Sequence, residues 1–167
     1  MANTATTFKS PLHQMTQTTK TCLWNDSAAT EELLYSMEHG GVGATCNPVI
    51  VLDVLKKEMP IWKPRIQALI KEMPEATEDE IAWRLVEEMT IKGAKLLMPI
   101  FEREKGINGR LSVQTDPRIY RNTAAIVQQC ERFNALAPNI IVKIPVTEAG
   151  VKAIERSEEH TSELQSR

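Results

Sequence analysis

The stretch that most constrains this chain is Ile140-Ile141-Val142-Lys143-Ile144-Pro145-Val146, an apolar and β-branched run broken by a single lysine. Bounded by Asn139 and Thr147, it reads as a strand buried on both faces, the kind that builds parallel sheets. Side chains alternate along a strand, so Ile141 and Lys143 share one face and Ile140, Val142 and Ile144 the other. A buried ammonium is costly, and the usual relief is loss of its proton, which leaves a neutral nucleophilic amine. Such an amine attacks a carbonyl and forms a Schiff base. The bland alternative is a lysine at a sheet edge that reaches back to water.

The rest of the chain favours the first reading. Three further short strands are predicted over 21–24, 42–46 and 111–115, and Asp26, Asn47 and Gln114 stand at or near their ends. Each strand is followed by a helical pattern, so four polar side chains collect at the carboxyl ends of four successive βα units. Parallel barrels and open α/β sheets place their chemistry there. In the third strand Leu111, Val113 and Thr115 face one way and Ser112 and Gln114 the other, toward the interior.

Between the strands, Leu33, Leu34 and Met37 give the first helix its apolar stripe, and Gly40-Gly41 stops it. Asn47-Pro48 turns directly into a helix carrying Ile50, Val51, Val54 and Leu55, and the bland role of Asn47 is to cap it. A helical insertion over about 60–106 is punctuated by Pro60, Pro64 and Pro74 and restarted by a capping box at Thr77 and Glu80. Pro99 marks a kink or break, and Gly106 and Gly109 its end. Trp62 and Trp83 within it read as packing residues. Asp116-Pro117 opens the next helix, with Ile119, Ile126, Val127, Cys130 and Phe133 on its core face, and Thr147 or Glu148 begins the last, through Val151 and Ile154.

With 42% apolar residues and a net charge of −2 over 167 residues, the chain suits one soluble domain with a real core and offers no basic surface for nucleic acid. The expected partner is a small molecule, and no membrane segment is read. Cys22, Cys46 and Cys130 are odd in number and widely spaced, which suggests reduced buried thiols of a cytoplasmic protein. His13, His39 and His160 form no ligand spacing, so neither a metal nor another cofactor is expected. Residues 1–19 are rich in Thr and Gln and read as a flexible arm.

Four segments carry a resemblance: Trp24-Asn25-Asp26-Ser27, Ala44-Thr45-Cys46-Asn47-Pro48, Ser112-Val113-Gln114-Thr115-Asp116-Pro117-Arg118, and Val142-Lys143-Ile144-Pro145-Val146-Thr147. In this order and spacing they resemble the first four strand ends of the transaldolase family, which includes the fructose-6-phosphate aldolases. The resemblance implies a class I aldolase-type (β/α)8 TIM barrel, represented by about its first four βα units and the helical insertion over residues 20–155. It places the Schiff-base lysine on Lys143, the proton-handling aspartate on Asp26 and a sugar-contacting asparagine on Asn47, with Thr45 lining the same pocket. The implied reaction moves a dihydroxyacetone unit between ketose and aldose phosphates in the pentose phosphate pathway. At the family's usual glutamate, which works through a water, stands Gln114, the residue that fructose-6-phosphate aldolases carry. Glutamine holds a water but cannot cycle a proton, so aldol cleavage is the alternative to transfer.

A family barrel needs eight βα units and typically ~250 residues, whereas four are read here. Residues 156–167 are almost devoid of apolar side chains and resemble a translated sequencing adapter, so they are expected to interrupt the last helix and to lie outside the fold. By itself this chain is expected to be inactive and to aggregate or pair with another half-barrel into a homo-oligomer. A non-catalytic, phosphosugar-binding fragment is the competing reading.

Overall fold

The computed structural model describes residues 7–165, with side chains described to Ser157. Strands β1 (Leu23–Asn25), β2 (Gly41–Cys46), β3 (Arg110–Gln114) and β4 (Ile140–Lys143) form one sheet in the order β1-β2-β3-β4, every neighbouring pair parallel. Seven helices accompany it among the described residues: α1 (Pro11–Thr18), α2 (Thr30–Glu38), α3 (Pro48–Lys57), α4 (Met59–Glu72), α5 (Glu78–Arg103), α6 (Thr123–Asn134) and α7 (Glu148–Gln165). Sequential strands being spatial neighbours, each linked through helix, is the arrangement from which a parallel barrel is wound.

The sheet has one covered face. Ala44, Leu111 and Ile140 stand side by side across β2, β3 and β4, as do Cys46, Val113 and Val142, and all lie in or against the helical core. Onto them α2 sets Leu33, and α5 sets Ile81, Leu85, Met89, Gly93 and Leu97, residues spaced four apart along one helix face. Each of the leucine, isoleucine and methionine side chains contributes roughly 1.5–3 kcal/mol by leaving water. Helix α5 packs directly on β2 and β3 and serves as their crossover, with α3 and α4 packed outside it.

Two glycines are required by close approach. The indole of Trp24 lies over Gly43, where an added Cβ would stand 2.5 Å from its Cε2. Gly109 combines φ +76° with a Cβ position 2.1 Å from the Phe101 backbone nitrogen, so the turn from α5 into β3 admits no side chain. Asn139 fastens the same corner. Fully buried, it donates from Nδ2 to the carbonyls of Ala94 and Gly109, both at 2.8 Å, tying the start of β4 to α5 and to the entry of β3. Asn139→Ala should cost about 2–3 kcal/mol, since two buried bonds go and two carbonyls lose a donor. Urea unfolding measures this, and a loss under about 0.5 kcal/mol would contradict it.

Several expectations are corrected. In the stretch read as an arm, residues 11–18 form α1, because Ser10 caps it and Pro11 pre-sets its first turn; residues 1–6 lie outside the described residues. Neither Pro64 nor Pro99 breaks its helix: Pro64 falls in the second turn of α4, and around Pro99 the buried Leu97 and Ile100 hold α5 to the core. The capping box is present, with Thr77 and Glu80 bonded reciprocally. Leu34 points outward, leaving Leu33, Ser36 and Met37 on the α2 core side. Ile119 belongs to a short 3-10 turn, Pro117–Ile119, and α6 starts later under an Asn122 cap. Cys22 is exposed, while Cys46 and Cys130 are buried, and burial pushes both of those thiols up to about 11. Finally, α7 runs through residue 156 to Gln165 without interruption, because the segment contains neither proline nor glycine beyond Gly150.

Candidate active site

The four polar residues singled out by the strand pattern occupy equivalent places. Asp26 follows β1, Asn47 follows β2, and Gln114 and Lys143 are the last residues of β3 and β4. All stand at the carboxyl end of the sheet. Gln114 and Lys143 are direct register partners, so two side chains about one strand spacing apart, near 5 Å, leave the same face.

That face is the inner one. Leu111, Val113 and Thr115 turn toward the helices and are fully buried, which directs Ser112 and Gln114 to the opposite side. Thr45, Ser112 and Ile141 form one row across the inner face, and Gln114 with Lys143 the next row toward the carboxyl end. The expectation of a strand buried on both faces is corrected here: Ile141 is 37% exposed and Lys143 is exposed. The reason is geometric, since β4 is an edge and four strands give the inner face nothing to pack against.

Asp26 is exposed, and its Oδ1 accepts a hydrogen bond from the Thr45 hydroxyl at 2.5 Å. The pairing of Asn25 with Ala44 sets this contact, by bringing the end of β1 alongside the end of β2. Asn47 takes the N-cap position of α3, its Oδ1 accepting from the Val49 and Ile50 amides at 2.9 and 3.0 Å. The capping role weighed for it from sequence is therefore real, and it fixes the amide at the mouth of the sheet.

Sequence reasoning missed the brace on the loop after Gln114. Arg118 grips the Asp116 carboxylate through Nε at 3.0 Å and Nη2 at 2.7 Å, and also reaches Asp79 in the first turn of α5. The Arg118 guanidinium holds the Asp116 carboxyl below its ordinary value, helped by the Arg118 amide and opposed by partial burial. The Asp116 amide donates to Gln129 of α6 at 2.7 Å. The only signal in the sequence was Asp116-Pro117-Arg118, which reads equally as a cap.

An amine, a carboxylate with a hydroxyl donor and two amides thus gather at the carboxyl end of one sheet. A cavity of about 530 Å³ at the opposite end of the sheet, between α1 and Arg103, includes none of them. Among the described residues no group of three or more His, Cys, Asp or Glu is arranged to hold a metal, and no helix is long and apolar enough to cross a membrane.

Parallel βα units with polar side chains gathered at the strand ends define an α/β protein of the parallel-barrel class, here four strands of it. Residues 23–162 match the family described as Transaldolase/Fructose-6-phosphate aldolase, and the chain belongs to that family. It is similar to a transaldolase of Campylobacter jejuni strain RM1221, 30% identical over 138 residues that cover 79% of this chain and 40% of the relative. A transaldolase of Thermobifida fusca is 29% identical over 154 residues, 87% of this chain and 40% of its own length. Transaldolase 2 of Streptomyces avermitilis is 41% identical over 63 residues, 36% of this chain and 17% of its own. The chain spans about 40% of the length of the first two relatives.

Proposed function

We propose that this chain supplies the first half of a transaldolase barrel, in which Lys143 carries a dihydroxyacetone unit from a ketose phosphate to an aldose phosphate in the cytoplasmic pentose phosphate pathway. The observation that supports this best is the register of Lys143 beside Gln114 on the inner face, with Asp26, Thr45 and Asn47 at neighbouring strand ends. The Lys143 amine adds to the C2 carbonyl of the ketose, and loss of water gives an iminium. Asp26 takes the proton of the C4 hydroxyl, the C3–C4 bond breaks, and its electron pair moves into the iminium to give an enamine while the aldehyde departs. Addition of the enamine to the acceptor aldehyde reverses these steps, and water then frees the product from Lys143. Asn47, held by its capping bonds, presents its amide to the sugar hydroxyls.

The edges of β1 and β4 have no partner strand among the described residues, and four further βα units close both. The 167 residues alone are therefore expected to lack the activity.

Gln114 favours a second reading, aldol cleavage of fructose 6-phosphate. Its amide can donate to and accept from a water beside Lys143 but does not ionise, so it cannot cycle a proton in the steps that make and break the iminium. In the full-length protein Gln114→Glu should raise the ratio of transfer to erythrose 4-phosphate over simple cleavage by at least about tenfold, assayed side by side. An unchanged ratio would show that this position does not choose the reaction.

A further inference from the structure

We propose that Thr45 is the positioning residue for Asp26; this rests on Asp26 being the base that takes the C4 hydroxyl proton. Asp26 lies one residue beyond β1, exposed, in a segment that gives it no other support. It caps no helix: the Ala29 amide, which opens α2, is taken by the Ser27 hydroxyl, and Asn25 donates to the Ser27 carbonyl. Among the described residues, the one hydrogen bond to the Asp26 carboxylate comes from Thr45.

A base must be aimed to within a few tenths of an ångström, and an exposed carboxylate at a strand end has several staggered conformers. Thr45 is suited to select one. Its β-branched side chain is stiff about χ1, its backbone is held in the ladder between β1 and β3, and its flanks are fixed by Gly43 under the Trp24 indole and by Asn47 capping α3. The hydroxyl has one proton and donates it to Oδ1, so toward a sugar it acts only as an acceptor. Oδ2 is left to receive the C4 proton, and the Thr45 proton stays on Thr45 throughout.

The test compares Thr45→Val, Thr45→Ser, Asp26→Asn and the double variant Thr45→Val/Asp26→Asn in the full-length protein. It reads cleavage of fructose 6-phosphate and the borohydride-reduced adduct on Lys143. Thr45→Val should lower kcat by about tenfold to a hundredfold, with KM within about twofold and the adduct undiminished. Thr45→Ser, which keeps the donor but loses the β-branch, should recover turnover to within about threefold of wild type, and in the Asp26→Asn background Thr45→Val should remove nothing more. A raised KM at unchanged kcat, equal losses with and without Asp26, or loss of turnover in Thr45→Ser would overturn the assignment. No adduct on Lys143 in the wild type would instead remove the Schiff-base reading on which it rests.

Discussion

Lys143→Arg in the full-length protein is expected to lower turnover of fructose 6-phosphate by at least about a thousandfold while leaving the melting temperature unchanged. The replacement keeps a long cationic side chain at the end of β4, on a face where Lys143 makes no core contact. What it removes is the option of an uncharged nitrogen, because a guanidinium does not lose its proton in a protein. No iminium forms without that nitrogen, so both transfer and cleavage should fail together. Survival of either at a tenth of the wild-type rate would mean that Lys143 is not the nucleophile.

Asp26→Asn should lower turnover by about a hundredfold to ten-thousandfold, the usual span for loss of a general base, and should do so after the iminium has formed. The amide keeps the shape of the carboxylate and an acceptor for the Thr45 hydroxyl, so the local geometry is retained. The proton of the C4 hydroxyl, however, has nowhere to go. Rapid mixing should therefore show formation of the lysine adduct at its ordinary rate and a slow release of glyceraldehyde 3-phosphate. Slow adduct formation with normal release would assign Asp26 to the first step instead.

Much of this architecture was legible because parallel βα units announce themselves by short apolar strands between helical patterns. The four strands fall within a few residues of their predicted places, and the polar residues at their ends arrive at one end of one sheet. Alternation along β3 correctly divided Leu111, Val113 and Thr115 from Ser112 and Gln114. What failed to show was anything settled by packing between distant segments. An apolar run cannot say whether it lies at the centre or the edge of a sheet, and β4 proved to be an edge with Lys143 exposed. The kink or break expected at Pro99 is overridden by the core contacts of Leu97 and Ile100, and Pro64, which punctuates the sequence, lies within α4. The bond from Thr45 to Asp26 spans two strands, and the grip of Arg118 on Asp116 and Asp79 joins a loop to a helix start; neither has a signature in local spacing.

A covalent intermediate on Lys143 can be trapped. The full-length protein is incubated with fructose 6-phosphate or dihydroxyacetone, reduced with sodium borohydride, digested and sequenced by mass spectrometry. One reduced dihydroxyacetone adduct is expected, on the peptide containing Lys143 and absent from Lys143→Arg. An adduct on a different lysine, or none while the protein is turning over substrate, would contradict the assignment of the Schiff base to Lys143.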